Sequence, residues 1–524
     1  MTKYFACGLL VLGAGCAGSD GMGAPTPAPT PGGIMPGGGD PGGDVTPNPD
    51  DTVTVNAAAG GTWTKLASVP VPEAGFPLLL TDGTVIISEV STNRWWRLTP
   101  SNLGSYVSGT WSQIASMPSG YTPLYFGAGI LPDGRVMIEG GEYISNKAVW
   151  TTQGAVYTPS TNTWASVAPP AGWSTIGDAS AVVLANGTYM QSDCCSTKSA
   201  LLDPTTMTWT ATGAGKQGSS NDEESWTMLQ DGTLLTVDCN NTVNLLASEI
   251  YTPSTGKWTL GPNTANKTCD INSDGSGSHE NGPAILRYDG TVIAIGGTGR
   301  NDIYNTSTKT WTAAPNSPSV GGRLLDSADG PAVLLPNGNV LIAMSPGIFQ
   351  TGTRMIEWNG TSFTQVAAPP SAPANSSFNQ NFLLLPTGQV LLTDFSNDIE
   401  IYTPTVGTPV PAAIPAITSV PLLLSRGGTF TLSGQRLNGL SEAVAYGDDA
   451  HGATNYPIIR ITTTTTTPNQ VFYARTFNHS TRAIGPSVTG TTSFTVPTAV
   501  PAGAAKVELI ANGIPSTAVN VTIQ

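Results

Sequence analysis

Charge is scarce in this chain: Asp, Glu, Lys and Arg together supply 11% of 524 residues, and acids outnumber bases 35 to 21. A net charge of −14 leaves no basic face to neutralise phosphates, so nucleic acid is excluded as the expected partner. No sustained helical period runs through the sequence, and beyond the N-terminal segment no stretch is long and apolar enough to be transmembrane. There is no Ser/His/Asp nucleophile arrangement, Walker loop, CxxC pair or HExxH, which removes support for the common hydrolase, nucleotide and zinc readings.

Glycine (61) and proline (42) are abundant instead, and Thr and Ser crowd the loops, as in turn-rich all-β proteins. The chain starts Met-Thr-Lys and continues with an apolar run from Tyr4 to Leu12, the shape of a secretion signal. Gly13-Ala14-Gly15-Cys16 follows and resembles a bacterial lipobox, with Gly13 in place of the usual Leu. The expectation is an exported lipoprotein acylated at Cys16, at the cell surface or in the periplasm, with ordinary cleavage as the alternative. Residues 1–16 are then the signal, and 17–56, rich in Gly, Pro, Asp and Thr, form an extended tether that buries almost nothing.

Between residues 57 and 404 one pattern is written seven times. An apolar strand meets a turn pair, a second strand follows, then a third ending near Tyr-Thr-Pro and a fourth centred on Trp. The turn pairs are Asp82-Gly83, Asp133-Gly134, Asn186-Gly187, Asp231-Gly232, Asp289-Gly290, Asn337-Gly338 and Thr387-Gly388. Such pairs tolerate the positive φ of tight hairpins, and a period near fifty residues is a propeller signature. Trp63 stands before the first inner strand, while the seventh repeat stops at Tyr402-Thr403-Pro404 without a Trp, so the segment around Trp63 is expected to complete the last blade. The blade aromatics are read as packing between blades. A Pro-rich linker (405–415) leads to 416–524, whose short β-runs fit one β-sandwich.

Gly140-Gly141, Gly296-Gly297, the turn pairs and the blade Trp residues make the repeats resemble kelch repeats. The fold expectation is therefore all-β: a seven-bladed kelch-like β-propeller followed by an Ig-like β-sandwich. That order resembles galactose oxidase and the copper radical oxidases, and Tyr446-Gly447-Asp448-Asp449-Ala450-His451 resembles the loop by which that family sends a His to copper. Aligned on the turns, the family's copper-binding Tyr-His pair falls on Phe378-Asn379, its radical Tyr on Asp178 and the thioether Cys on Tyr125, leaving only His451. The resemblance thus implies the scaffold without the radical chemistry, and copper is not expected.

Eight residues before each turn stand Ala74, Tyr125, Asp178, Glu223, Asn281, Asp329 and Asn379, with Glu224 and Glu280 beside two of them. Seven strands converging on one axis would bring Tyr125, Asp178, Glu223, Asn281, Asp329 and Asn379 to one mouth, joined by His451. Asp178, Glu223, Asp329 and His451 are the candidate metal ligands. Crowded carboxylates raise one another's pKa unless a cation compensates, and the oxygen-rich set suits Ca²⁺ or the hydroxyls of a sugar. The alternative is a wet channel whose polar residues bind only water. Three functions follow: a surface binding protein for a glycan, a cation or another cell-surface ligand; a non-radical carbohydrate-active enzyme with Asp178, Glu223 or Asp329 as acid and base; or a divergent copper oxidase around His451, Tyr125 and the carboxylates.

An oxidising compartment would pair Cys194, Cys195, Cys239 and Cys269. The favoured pairing joins Cys194 or Cys195 to Cys239 or Cys269; a bond between the adjacent Cys194 and Cys195, or a thiolate metal site, are the alternatives. His279 is expected in solvent and His479 on the surface. If Cys16 is the anchor, the mature protein fractionates with membranes and its N-terminal peptide carries acyl mass on Cys16, whereas Cys16→Ser is soluble. A free start beyond Cys16 rules the anchor out.

Overall fold

The computed structural model describes residues 60–405, 407–447 and 452–524, so the signal, the tether, Cys16 and His451 lie outside the described residues. Among these residues there is no α-helix; besides the strands there are 3-10 turns at Ala372–Ala374, Ser377–Asn379 and Pro411–Ala413.

The first repeat shows how each unit forms. Ala74–Leu79, Val85–Glu89, Trp95–Thr99 and Thr110–Gln113 pair in sequence order as one antiparallel sheet. Asp82 reverses the first two strands: its carboxylate accepts from the Thr84 amide (3.0 Å) and hydroxyl (2.6 Å), while Gly83 takes φ +75°. The glycines of all seven turn pairs lie between φ +75° and +90°, a region costly for any side chain. Innermost strands such as Ala332–Leu334 are buried throughout, and outermost ones such as Thr163–Val167 are mostly exposed.

Neighbouring sheets stack face to face. Thr227 Oγ1 donates to Ala284 O (3.0 Å), Ser180 Oγ to Glu224 O, and Phe76 meets Phe126 edge-on at 5.6 Å. Several outer-strand indoles tie their sheet to the one before it: Trp164 Nε1 donates to Ala115 O (2.9 Å), Trp209 Nε1 to Ala168 O (2.7 Å) and Trp311 Nε1 to Ser248 Oγ (3.2 Å). The last sheet returns to the first through Thr393 Oγ1 on Gly75 O at 2.6 Å. It takes its outer strand from the other end of the repeats: Thr62–Lys65 pairs with Glu400–Thr403, Trp63 opposite Tyr402. The result is an all-β, propeller-like ring of sheets with no unpaired outer edge on the last one.

Residues beyond 416 form a nine-stranded sheet wrapped over Leu424, Leu432, Ile459, Phe494 and Val507. It docks on the turn-pair side of the ring, where Thr476, His479 and Arg482 donate backbone N–H groups to Thr81 O (3.2 Å), Pro132 O (3.0 Å) and Ala185 O (2.9 Å). From there a segment rises along the axis. Val444–Ala445 joins the sheet of the sixth repeat as a fifth strand against Ala332 and Val333. Ser441–Ala445 faces Trp226, Thr227 and Ala284–Leu286, while Ala453 and Asn455 face Ala128–Ile130 and Ala181–Val183. Part of the axis on the turn-pair side is thus filled by polypeptide.

Several buried polar groups of that segment find partners across the junction, although Thr454 Oγ1, Asn455 Nδ2 and Arg482 Nε have none among the described residues. The Met228 amide donates to Glu442 Oε2 (3.0 Å), Arg482 donates to Ile130 O and Asn455 Oδ1 and lies over the Tyr456 ring, and Tyr456 OH donates to Leu79 O (2.5 Å). His479, expected on the surface, is buried at this junction with Nδ1 2.9 Å from Thr492 Oγ1; burial and the nearby Arg482 charge hold its pKa well below the ordinary value. The closing strand is the exposed weak point of the ring. Trp63→Ala removes the packing on Tyr402 (5.0 Å between centroids) and the 2.7 Å bond to Ala367 O, and should cost about 2–4 kcal/mol in denaturant unfolding. An unchanged unfolding midpoint would mean that closure does not limit stability.

Candidate functional site

The residues at the entry of the inner strands occupy the side of the ring away from the turn pairs. Three of them, Tyr125 (φ +52°), Glu223 (φ +55°) and Asp329 (φ +48°), take a left-handed backbone that costs a non-glycine residue on the order of 1 kcal/mol. At Tyr125 the chain passes from Pro123–Leu124, which pairs with Tyr143–Ile144 in a small separate sheet, to the inner strand Gly127–Ile130.

Two acidic groups form there. Glu223, Glu280 and Asp329 each offer a carboxylate oxygen within 4.8 Å of the others. The Asp329 carboxyl hydrogen-bonds that of Glu280, which requires a shared proton, and burial raises Asp329 to about 6. The Asp329 amide donates to Asn281 O at 3.1 Å; Asn281 is 5% exposed, and its Oδ1 has no hydrogen-bond partner among the described residues. The second group brings Asp178, Asp222 and Cys194 Sγ within 4.8 Å of one another. Burial, reinforced by the Asp329 charge, raises Asp222 to about 7, so the two groups sense each other.

Asp222 and Glu280 were not among the column positions. Both stand one residue before a column position, Glu223 and Asn281, and only the left-handed kink at Glu223 or the partial exposure of the loops brings them into play. Glu224 goes the other way: it is buried and paired to Lys216 (2.8 Å), which also pairs with Glu249 and lies over the Trp258 ring. Its role is structural.

Aromatic rings cluster beside the Asp178 group. Tyr125 meets Tyr143 at 6.2 Å and Phe395 at 6.1 Å, both edge-on. The Tyr143 phenol is pushed up by burial, then by Glu142 and Asp178. Ala74 is buried, and Asn379 ends a 3-10 turn with its amide on Ser376 O (3.2 Å). Phe378 packs on Phe349 at 5.2 Å and accepts from the Tyr446 hydroxyl, which anchors the axial segment. A Cβ at Gly447 would lie 2.5 Å from Asp329 Oδ1, so only glycine lets that segment pass the acidic group.

The disulfides differ from the favoured pairing. Cys194 bonds Cys195, and Cys239 bonds Cys269. The reason is packing: Cys239 and Cys269 share a core with Val237 and Ile271, while Cys194 is held in its own loop by its amide on Ile176 O (3.0 Å). His279, expected in solvent, is partly buried and clips its loop, with Nδ1 3.0 Å from Asn240 Oδ1 and Nε2 3.2 Å from Gly275 O.

No protein-family model matches the chain, and no curated protein does. Among solved structures it is similar to a fungal alcohol oxidase of the AA5 family in complex with copper, at 15% identity over 90% of this chain and 100% of that one, TM-score 0.49. It is also similar to a streptogramin B lyase, at 11% identity over 66% of this chain and 98% of that one, TM-score 0.45. The chemistry of the mouth rests on its own residues.

The raised carboxylates carry a signed pH dependence. Asp222 moves from 3.8 to about 7 on folding, so the folded state holds the proton more tightly; the stabilisation is complete below 3.8 and is lost as pH rises through about 7. In metal-free buffer Asp222→Asn should be more stable than the parent by about 1–3 kcal/mol above that range and equal to it or less stable at the acid end. Denaturant unfolding at both ends reads this. An equal difference at both pH values would mean that Asp222 is not the titrating group.

Proposed function

We propose that this chain is an exported, lipid-anchored binding protein whose propeller mouth holds a hard divalent cation, Ca²⁺ in the first instance, and through it a polyhydroxylated ligand such as a surface glycan. In this reading 57–404 is a seven-bladed kelch-like propeller, 405–415 a linker and 416–524 an Ig-like sandwich. The membrane is met only through the anchor at Cys16. The observation that carries the reading is the convergence of Glu223, Glu280 and Asp329, with oxygens within 4.8 Å of one another. Three carboxylates so placed repel unless protonated or neutralised, and carboxylate oxygens with an amide oxygen are the donors a hard cation takes. Tyr125, Tyr143 and Phe395 supply the apolar face on which a sugar ring stacks.

A second reading has its own support. Burial raises Asp329 to about 6 and Asp222 to about 7, so the mouth carries carboxyls able to hold or release a proton near neutral pH, as a non-radical carbohydrate-active enzyme needs. Neither reading uses radical copper chemistry, for which the mouth offers Phe378 and Asn379 where the oxidase scaffold has Tyr and His.

Calcium titration calorimetry on the as-purified, dialysed protein separates these. One Ca²⁺ per chain is expected, weakened at least about tenfold by Glu280→Gln with Asp329→Asn, about 1.4 kcal/mol. No heat, or heat unchanged in the variant, refutes the cation reading and leaves the acid–base one.

A further inference from the structure

The Cys194–Cys195 bond is out of proportion to any stabilising role. A disulfide stabilises mainly by closing a loop in the unfolded chain, and the gain grows with loop length. Cys239–Cys269 spans 30 residues and sits in a core; Cys194–Cys195 spans one and lies at the mouth. Carboxylates surround it. Cys194 Sγ shares one 4.8 Å group with Asp178 and Asp222, and another with Asp193 and Cys195 Sγ.

The loop that carries the pair is held by bonds that do not involve the sulfurs. Fully buried Asn221 donates through Nδ2 to Asp193 O (3.2 Å), Ser196 O (2.7 Å) and Lys198 O (3.0 Å). Asp193 accepts from Thr175 Oγ1 (2.7 Å), Ser196 Oγ (2.6 Å) and the Cys195 amide (3.3 Å). Breaking the S–S bond therefore leaves the loop in place: the sulfurs relax apart only to contact distance, and Cys194 Sγ stays beside the Asp178 and Asp222 carboxylates. Cys195 is partly exposed and open to a reductant, while Cys239 and Cys269 are buried.

We infer that Cys194–Cys195 is the oxidised form of a second metal site, which on reduction takes a thiophilic divalent cation of the Zn²⁺ or Cd²⁺ class between the two sulfurs and the carboxylates of Asp178 and Asp222. A dithiol reductant supplies two electrons and two protons: the S–S bond breaks, two S–H bonds form and the reductant becomes a cyclic disulfide. The cation then displaces both thiol protons, and carboxylate oxygens complete its four-coordinate shell. Sulfur donors set this site apart from the all-oxygen group at Glu223, Glu280 and Asp329, which prefers hard cations. Oxidation state would then decide which kind of metal the mouth accepts. The inference does not depend on calcium binding.

The probe is Cd²⁺ alone, added to the full chain before and after treatment with a dithiol that is then removed. Expected after reduction is one Cd²⁺ per chain with the ultraviolet thiolate-to-cadmium band, no band before reduction, none in Cys194→Ala with Cys195→Ala, and affinity at least about tenfold weaker in Asp222→Asn. Should the double variant misfold, peptide mapping of the reduced wild type reads the same point, Cd²⁺ shielding Cys194 and Cys195 from alkylation while Cys239–Cys269 stays intact. A reduced chain without the band, a band that survives the double substitution, or full-strength binding in Asp222→Asn overturns the inference. Calcium titration of the oxidised chain is read separately, so either site can fail alone.

Discussion

Four residues, Thr62–Lys65, hold the two ends of the repeat array together by pairing with Glu400–Thr403. Every other feature depends on that pairing, because a ring of sheets has no edge only when the last one is completed. The backbone ladder supplies the register, Trp63 on Tyr402 supplies apolar contact, and the indole bond to Ala367 O ties the closing strand to the preceding sheet. The indoles of Trp164, Trp209 and Trp311 repeat the device elsewhere in the ring, so these tryptophans tie neighbouring sheets together.

A closed ring draws the starts of its inner strands toward one axis, and the C-terminal region fills that axis from the opposite side. Val444–Ala445 is bound into the sixth repeat's sheet, Tyr446 is tied to Phe378, and Gly447 passes Asp329 at a distance that no side chain would allow. Buried Arg482 and Glu442 are accommodated because backbone and amide partners wait for them at the junction. What stays open is the mouth.

There the physics is that of like charges held closer than they would choose. Burial raises Asp329 and, with the Asp329 charge, Asp222 toward neutrality, and left-handed backbone at Glu223 and Asp329 adds strain that the ring must sustain. Such a cost is usually met at a site that does something. Carboxylates at Glu223, Glu280 and Asp329 and a group with sulfur at Asp178, Asp222 and Cys194 give the same mouth two kinds of donor.

The seven Asp-Gly, Asn-Gly and Thr-Gly turns were legible because φ above +75° demands glycine, and the misplaced Trp63 was legible because a closed sheet needs a fourth strand. From the turn spacing came Tyr125, Asp178, Glu223, Asn281 and Asp329 at one mouth, since strand length carries position along an inner strand. Spacing could not supply Asp222 and Glu280, which depend on a local kink and on loops from adjacent repeats meeting in space. Nor could it place Glu224, whose side chain turns inward to Lys216, or Asn379, drawn into a 3-10 turn. The disulfide partners and the buried His479 were likewise decided by tertiary packing. Sequence alone determines periodicity, turns and polarity, which are local properties of the backbone; which carboxylates share a proton, which sulfurs meet and what fills the axis depend on contacts between segments far apart in the chain.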